Sequence, residues 1–146
     1  MWVYPYKDER EHVIYNMVNG LLLRPYMSGM VWDMGEESLK LMREGIALYK
    51  KIRNDIKVGV PVFPLGFTDT RDDVLAYAVK TEEKTYLAVF TPRTDRAEIL
   101  LAAAGITGTE AKVIYPASGD CEYTVADGTL QVTMPQVTCA RLFEIC

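Results

Sequence analysis

The chain has 146 residues, 49% hydrophobic, 25% charged and 10% aromatic, fractions close to those of ordinary globular domains, which excludes collagen-like and disordered readings. That length allows one core, or two small halves sharing an interface, and not two large independent domains. With 16 Lys+Arg against 20 Asp+Glu the formal net charge is −4, so the basic footprint of a nucleic-acid binder is missing and no nucleic-acid partner is expected.

No window approaches the roughly 18 consecutive apolar residues that a bilayer span needs, and the opening MWVYPYKDER lacks the order of a signal peptide. The sequence therefore reads as cytoplasmic, with no membrane partner. Cys121, Cys139 and Cys146 are odd in number and widely spaced, and His12 is the only histidine, so neither a metal site nor a disulfide framework is expected. No cofactor is expected either.

Residues 1–56 balance eight basic against eight acidic residues, while 57–146 carry eight against twelve, so the net charge belongs to the second part. In the first part Ile14, Met17, Val18, Leu21 and Leu22 line one face of a 3.6-residue period and predict a helix over about 8–23. Asp8 and Glu11 have the spacing of a capping box at its start, and Pro25 biases Arg24 away from helical dihedrals at its end. The segment RPYMSGMVWDMG, 24–35, is aromatic and Gly-punctuated and has room for a short extended piece. Leu39, Met42, Ile46, Tyr49, Ile52 and Ile56 then predict a second helix over about 36–55. Glu36 and Glu37 at its start and Lys50, Lys51 and Arg53 at its end match the helix dipole.

Pro61, Pro64 and Gly66 forbid continued helix after Ile56, so residues 57–73 read as a Pro-rich connector. From Val74 the period changes to two, through VLAYAVK, TYLAVFT, AEILLA, AKVIYP, EYTVA, TLQVTM and CARLFEI. Seven short strands are predicted. Asp127-Gly128 is a two-residue hairpin signal, and connections this short require antiparallel pairing. The expected fold class is thus α+β: a helical pair followed by an antiparallel β-sandwich over 74–146. Its predicted core holds Leu75, Tyr77, Leu87, Val89, Ile114, Leu130, Val132 and Leu142, each strand having one buried and one wet face.

Chemistry-bearing patterns are sparse. His12, beside Glu11, reads as a surface residue rather than a base, and GITGTE, 105–110, precedes no helix that could cradle a phosphate. The clusters Asp33/Glu36/Glu37 and Asp69/Asp72/Asp73 read as a helix start and a solvated linker. Six of the fifteen aromatics fall in the first 32 residues: Trp2, Tyr4, Tyr6, Tyr15, Tyr26 and Trp32. They are either a sugar-stacking platform or a surface shaped to pack against further protein.

The order REHVIYNMVNGLLLRPYMSG, ESLKLMREGIALYKKIRNDI, VPVFPLGF, TYLAVFTPR and CARLFEI resembles the C-terminal part of the α-galactosidases of glycoside hydrolase family 36. The resemblance implies that 1–56 are the last helices of a truncated (β/α)8 barrel. Residues 8–23 would be its penultimate helix, about 24–33 its last strand with the following loop, and 36–55 its final helix. It further implies retaining hydrolysis of terminal α-galactosides by a parent enzyme. The aspartates of that chemistry lie in a Lys-Trp-Asp motif and a Cys-containing, Arg-rich motif, and neither occurs here. Val31 stands where the lysine would precede Trp32-Asp33, so no catalytic residue is assigned, and the fragment alone is expected to be inactive. Ser28, Trp32 and Asp33, following the last barrel strand, are the substrate-proximal candidates. The competing reading is a stand-alone carbohydrate-binding or interaction module. A cut barrel would uncover Ile14, Met17, Leu21, Leu41 and Leu48, so self-association through the helical half is expected.

Overall fold

The computed structural model describes residues 2–29, 31–69 and 71–146, with the backbone alone for Trp2. A two-residue strand β1, Trp2–Val3, leads to helix α1, Arg10–Leu21, and strand β2, Tyr26–Met27. After a single 3-10 turn, Val31–Asp33, comes helix α2, Glu36–Val58. The strands that follow are β3 (Val60–Val62), β4 (Leu75–Lys80), β5 (Thr85–Thr91), β6 (Arg96–Leu100), β7 (Ala111–Tyr115), β8 (Glu122–Ala126), β9 (Thr129–Thr133) and β10 (Cys139–Ile145). The seven strands expected from Val74 onward are all present. Both helices lie close to their predicted spans, but α1 starts two residues later. Helix α2 continues through Lys57 and Val58, into the expected connector, and β3 uses three connector residues as an edge strand.

An antiparallel five-stranded sheet, ordered β3-β4-β5-β10-β7, lies at the centre of the molecule. A three-stranded antiparallel sheet, β6-β9-β8, covers one of its faces and the helices cover the other. Alternation along β5 explains both contacts. Tyr86, Ala88 and Phe90 meet Ile14, Met17, Val18, Leu21, Met42 and Ile52 of the helices, while Leu87 and Val89 meet Ile99, Leu130 and Val132 of the smaller sheet. All seven residues of β5 are buried. The expected wet face thus exists on β6, β8 and β9 and is missing from β5, because a helical layer takes the place of solvent.

This layering corrects the expected core. Leu87, Val89, Leu130 and Val132 do fill the sandwich, whereas Leu142, with the partly buried Leu75, Tyr77 and Ile114, belongs to the helix-side cluster. The stripe of α2 is rotated as well: Ser38, Leu41, Met42, Gly45 and Ile52 are buried, and Ile46 is exposed. The patch expected to drive self-association is used within the chain. Ile14, Met17, Leu21 and Leu41 are buried and Leu48 is packed against the same cluster, because the sheet supplies the cover that the cut-barrel argument assigned to missing protein.

Turn chemistry agrees with the sequence. Asp127 and Gly128 have φ of 50° and 72°, the two positive values that a type I′ hairpin needs, between Ala126 and its partner Thr129. The Thr81 N–H donates to the Lys84 carbonyl (2.8 Å), and the Lys84 N–H to Thr81 Oγ1 (3.1 Å), closing the β4–β5 turn.

Candidate functional site

β1, α1 and β2 form a βαβ unit whose strands pair in parallel, Trp2 opposite Tyr26 and Val3 opposite Met27. Side chains alternate across a strand, so Val3 and Met27 turn inward to the helices. Tyr4 and Tyr26, on the opposite side, are 49% and 50% exposed.

Ser28, the first of the candidate residues, follows directly where these two strands end. Ser28, half-buried, donates its N–H to the Val3 carbonyl (3.0 Å), extending the ladder by one bond. Gly29 follows at φ 96°, and a Cβ there would lie 2.7 Å from the Tyr4 ring, so the chain can pass beneath that ring only without a side chain. Trp32 and Asp33 belong to the next short turn. Val31 packs into the core, whereas Trp32 is 76% exposed and Asp33 is exposed. Met30 lies outside the described residues.

Asp8 ties the two post-strand loops together. It does not cap α1, whose N-cap residue, Glu9, makes no side-chain bond. Its carboxylate instead accepts from the Gly35 N–H (3.1 Å) and the Ser38 hydroxyl (2.5 Å) at the start of α2. The expected capping box is thus replaced by a cap supplied across 27 residues. Glu9, not Asp8, is the N-cap residue of α1, while the Gly35 N–H that begins α2 lies within reach of Asp8.

Tyr6 continues the aromatic surface, its ring 6.0 Å from Tyr4 and edge-on to His12 at 4.3 Å. Asn16 Nδ2 donates to the His12 carbonyl (2.9 Å) and lies 3.2 Å from His12 Nε2. Burial, with the Lys7 charge second, holds the His12 pKa below its ordinary value, so the ring is neutral at pH 7. An open cleft of about 930 Å³ separates this side of α1 from residues 135–138. Thr138, at φ 63°, is held there by its N–H to the Thr91 carbonyl (2.9 Å) and its hydroxyl to the Pro92 carbonyl (3.1 Å).

Beneath the cleft lies an ion pair between α1 and β10. Arg141 is fully buried and grips Glu11 with both terminal nitrogens, at 2.7 and 3.1 Å. It also donates to the Ala140 and Asp120 carbonyls, at 2.8 and 3.2 Å, while its Nε has no partner among the described residues. Arg10 pairs with Asp120 and donates to Ser118 (2.7 Å), and that pairing, chiefly through its hydrogen bond, holds the Asp120 carboxyl below the usual range. The start of α1 is therefore fastened to β10 and to the β7–β8 loop by two arginine–carboxylate contacts. The one available signal was a charge inside the otherwise buried run CARLFEI.

Among the described residues no three His, Cys, Asp or Glu side chains gather as metal ligands, and all three cysteines are free. No described helix is long and apolar enough to cross a membrane. The segments that follow the two parallel strands carry exposed rings (Tyr4, Tyr6, Trp32), a carboxylate (Asp33) and a hydroxyl (Ser28).

No family model and no curated protein matches the chain. Solved structures do resemble it. An α-amylase from Anoxybacillus matches with a TM-score of 0.63 at 14% identity, over 93% of this chain and 32% of that one. A maltogenic α-amylase, AmyB, from Thermotoga neapolitana matches with 0.59 at 12% identity, over 99% and 41%. A putative α-N-acetylgalactosaminidase from Bacillus halodurans matches with 0.55 at 14% identity, over 96% and 32%. The chain thus spans about a third to two-fifths of the length of these proteins. At such identities the likeness is one of fold: the helical layer and the two antiparallel sheets recur together as part of larger glycoside hydrolase chains.

Proposed function

We propose that this chain forms the closing part of a glycoside hydrolase: the last strands and helices of a (β/α)8 barrel, with the β-sandwich that follows them. The carrying observation is the parallel β1–β2 pair, covered by helices on one face and exposing Tyr4 and Tyr26 on the other. Parallel sheets occur almost only where both faces are covered, and a two-strand pair is too small to stand alone. Further parallel strands on that face would complete the layer.

In this reading the ends of β1 and β2 lie at the barrel mouth, where active sites gather, and Ser28, Trp32 and Asp33 approach the substrate. The nucleophile and the proton donor come from strands outside this sequence. The similar structures named for α-amylases and an α-N-acetylgalactosaminidase favour α-linked hexosides as the substrate class. Within that class the resemblance to family 36 favours α-galactosides. Translation of the coding sequence upstream of Met1 tests the reading. An in-frame series of strands and helices carrying two catalytic aspartates is expected, and a true start with no such barrel encoded nearby would overturn it.

A second reading, a stand-alone carbohydrate-binding or interaction module, is favoured by the burial of Ile14, Met17 and Leu21 within the chain itself. It predicts the opposite result upstream.

A further inference from the structure

The connector assembles a second group of aromatic rings, which includes none of Ser28, Trp32 and Asp33. Phe63-Pro64-Leu65-Gly66 is a tight turn closed by the Gly66 N–H to the Phe63 carbonyl (2.9 Å), with proline in its second place and Gly66 at φ 72°. Pro64 is buried and Leu65 packs against the sandwich core, so the turn is anchored. Phe63 and Phe67 are left outside with their rings 5.2 Å apart, 46% and 94% exposed. Behind them Tyr77 stacks on Phe90 at 5.8 Å, and Tyr15 meets Phe90 edge-on at 5.1 Å. These five rings line an open groove of about 270 Å³.

The lining chemistry selects the occupant. No Lys, Arg, Asp or Glu is among the lining residues, so a charged group entering the groove would lose hydration without gaining a counter-charge. The polar side-chain groups of the lining residues are the Asn19 amide, the Thr68 hydroxyl and the Tyr15 and Tyr77 phenols, the last already donating to the Asn19 carbonyl (3.0 Å). A helix, about 10 Å across with its side chains, is too wide for such a space. An extended peptide would bring backbone N–H and C=O groups that these few side chains cannot all satisfy. A neutral six-membered sugar ring matches: its C–H face lies on an aromatic ring and its rim of hydroxyls meets an amide, a hydroxyl and water.

We propose that the Phe63/Phe67 groove binds one neutral pyranose ring, with Phe67 as the stacking platform and Asn19 and Thr68 as hydrogen-bonding partners of the sugar hydroxyls. The assignment rests on the groove's own lining and holds under either reading of the chain as a whole.

Saturation-transfer NMR on the intact chain, with methyl α-D-galactopyranoside and maltotriose as probes, tests it. Irradiating the aromatic protons should transfer to the sugar C–H protons of at least one probe. Phe67→Ala, at a position too exposed to unfold the protein, should weaken binding about tenfold, the scale of one lost aromatic contact. Phe67→Trp should retain binding, and Leu100→Ala, on the other sheet, should leave it unchanged. Absence of transfer from both sugars, or equal binding by Phe67→Ala, would overturn the proposal. So would concentration-dependent broadening of the Phe63 and Phe67 signals in sugar-free solution, which would give the groove to a second copy of the chain. Uptake of cyclohexylmethanol as tight as that of sugar would mark a merely apolar surface and overturn it too.

Discussion

Glu11 and Arg141 join the beginning of the helical layer to the last strand, 130 positions apart, with the arginine fully buried and the carboxylate at the floor of the cleft. Removing one charge strands the other. Glu11→Ala should therefore cost about 3 to 5 kcal/mol in urea unfolding, whereas the paired change Glu11→Leu with Arg141→Met should recover most of that loss. A double variant as unstable as the single one would show that the pair contributes more than mutual neutralisation. His12 supplies a pH dependence of known sign. Its folded-state pKa lies below the ordinary 6.5, so the unfolded chain takes up the proton first. The stability from neutral His12 is complete above about pH 6.5 and is lost as the pH falls from there through the folded-state value. NMR titration should place the midpoint below 6.5, and His12→Gln should flatten that limb of the stability curve. Neither Arg141 nor Asp8 could be read correctly from the sequence. Arg141 looks like one more member of a strand because its partner is remote, and Asp8 has the local spacing of a capping box although its real acceptor geometry is set by the loop before α2.

At the scale of elements, local patterns carry most of the information. The seven period-two runs and the Asp127-Gly128 turn are set by neighbouring residues, and they were legible for that reason. Which face of a strand is wet depends on what packs there, and that is why β5, buried throughout, escaped the alternation rule. Ser28, Trp32 and Asp33 are candidates from the sequence only because they follow the predicted last strand. The covering of Gly29 by Tyr4 and the stitching of two loops by Asp8 needed the third dimension. Two substitutions probe these elements. Asp8→Ala should cost about 1 kcal/mol and raise hydrogen exchange in the first turn of α2, leaving α1 unaffected. Exchange rising in α1 alone would return Asp8 to the local capping role. Val132→Ala, within the sandwich, should cost about 1 to 3 kcal/mol through lost burial and a residual cavity. A loss of only a few tenths would mean that its side chain faces outward.

Across the whole molecule, one sheet serves two cores. Helices and small sheet both depend on β4, β5 and β10, so perturbing either layer is transmitted to the other through strands buried on both faces. Helical circular dichroism and the near-ultraviolet signal of the sandwich aromatics should accordingly lose amplitude in one transition in Val132→Ala, as in the unaltered protein. The parallel β1–β2 pair is the exception, with Tyr4 and Tyr26 half exposed on the face away from the helices. Under the proposed function, the reacting carboxylates of the parent enzyme lie outside this sequence. Retaining hydrolysis needs a nucleophile and a proton donor on either side of the scissile bond, and Asp33 alone cannot fill both positions. The direct measurement is turnover of an aryl α-galactoside by the pure 146-residue chain, beside Asp33→Asn. No hydrolysis above the buffer blank is expected from either protein; turnover by the unaltered chain that disappears in Asp33→Asn would contradict the proposed function.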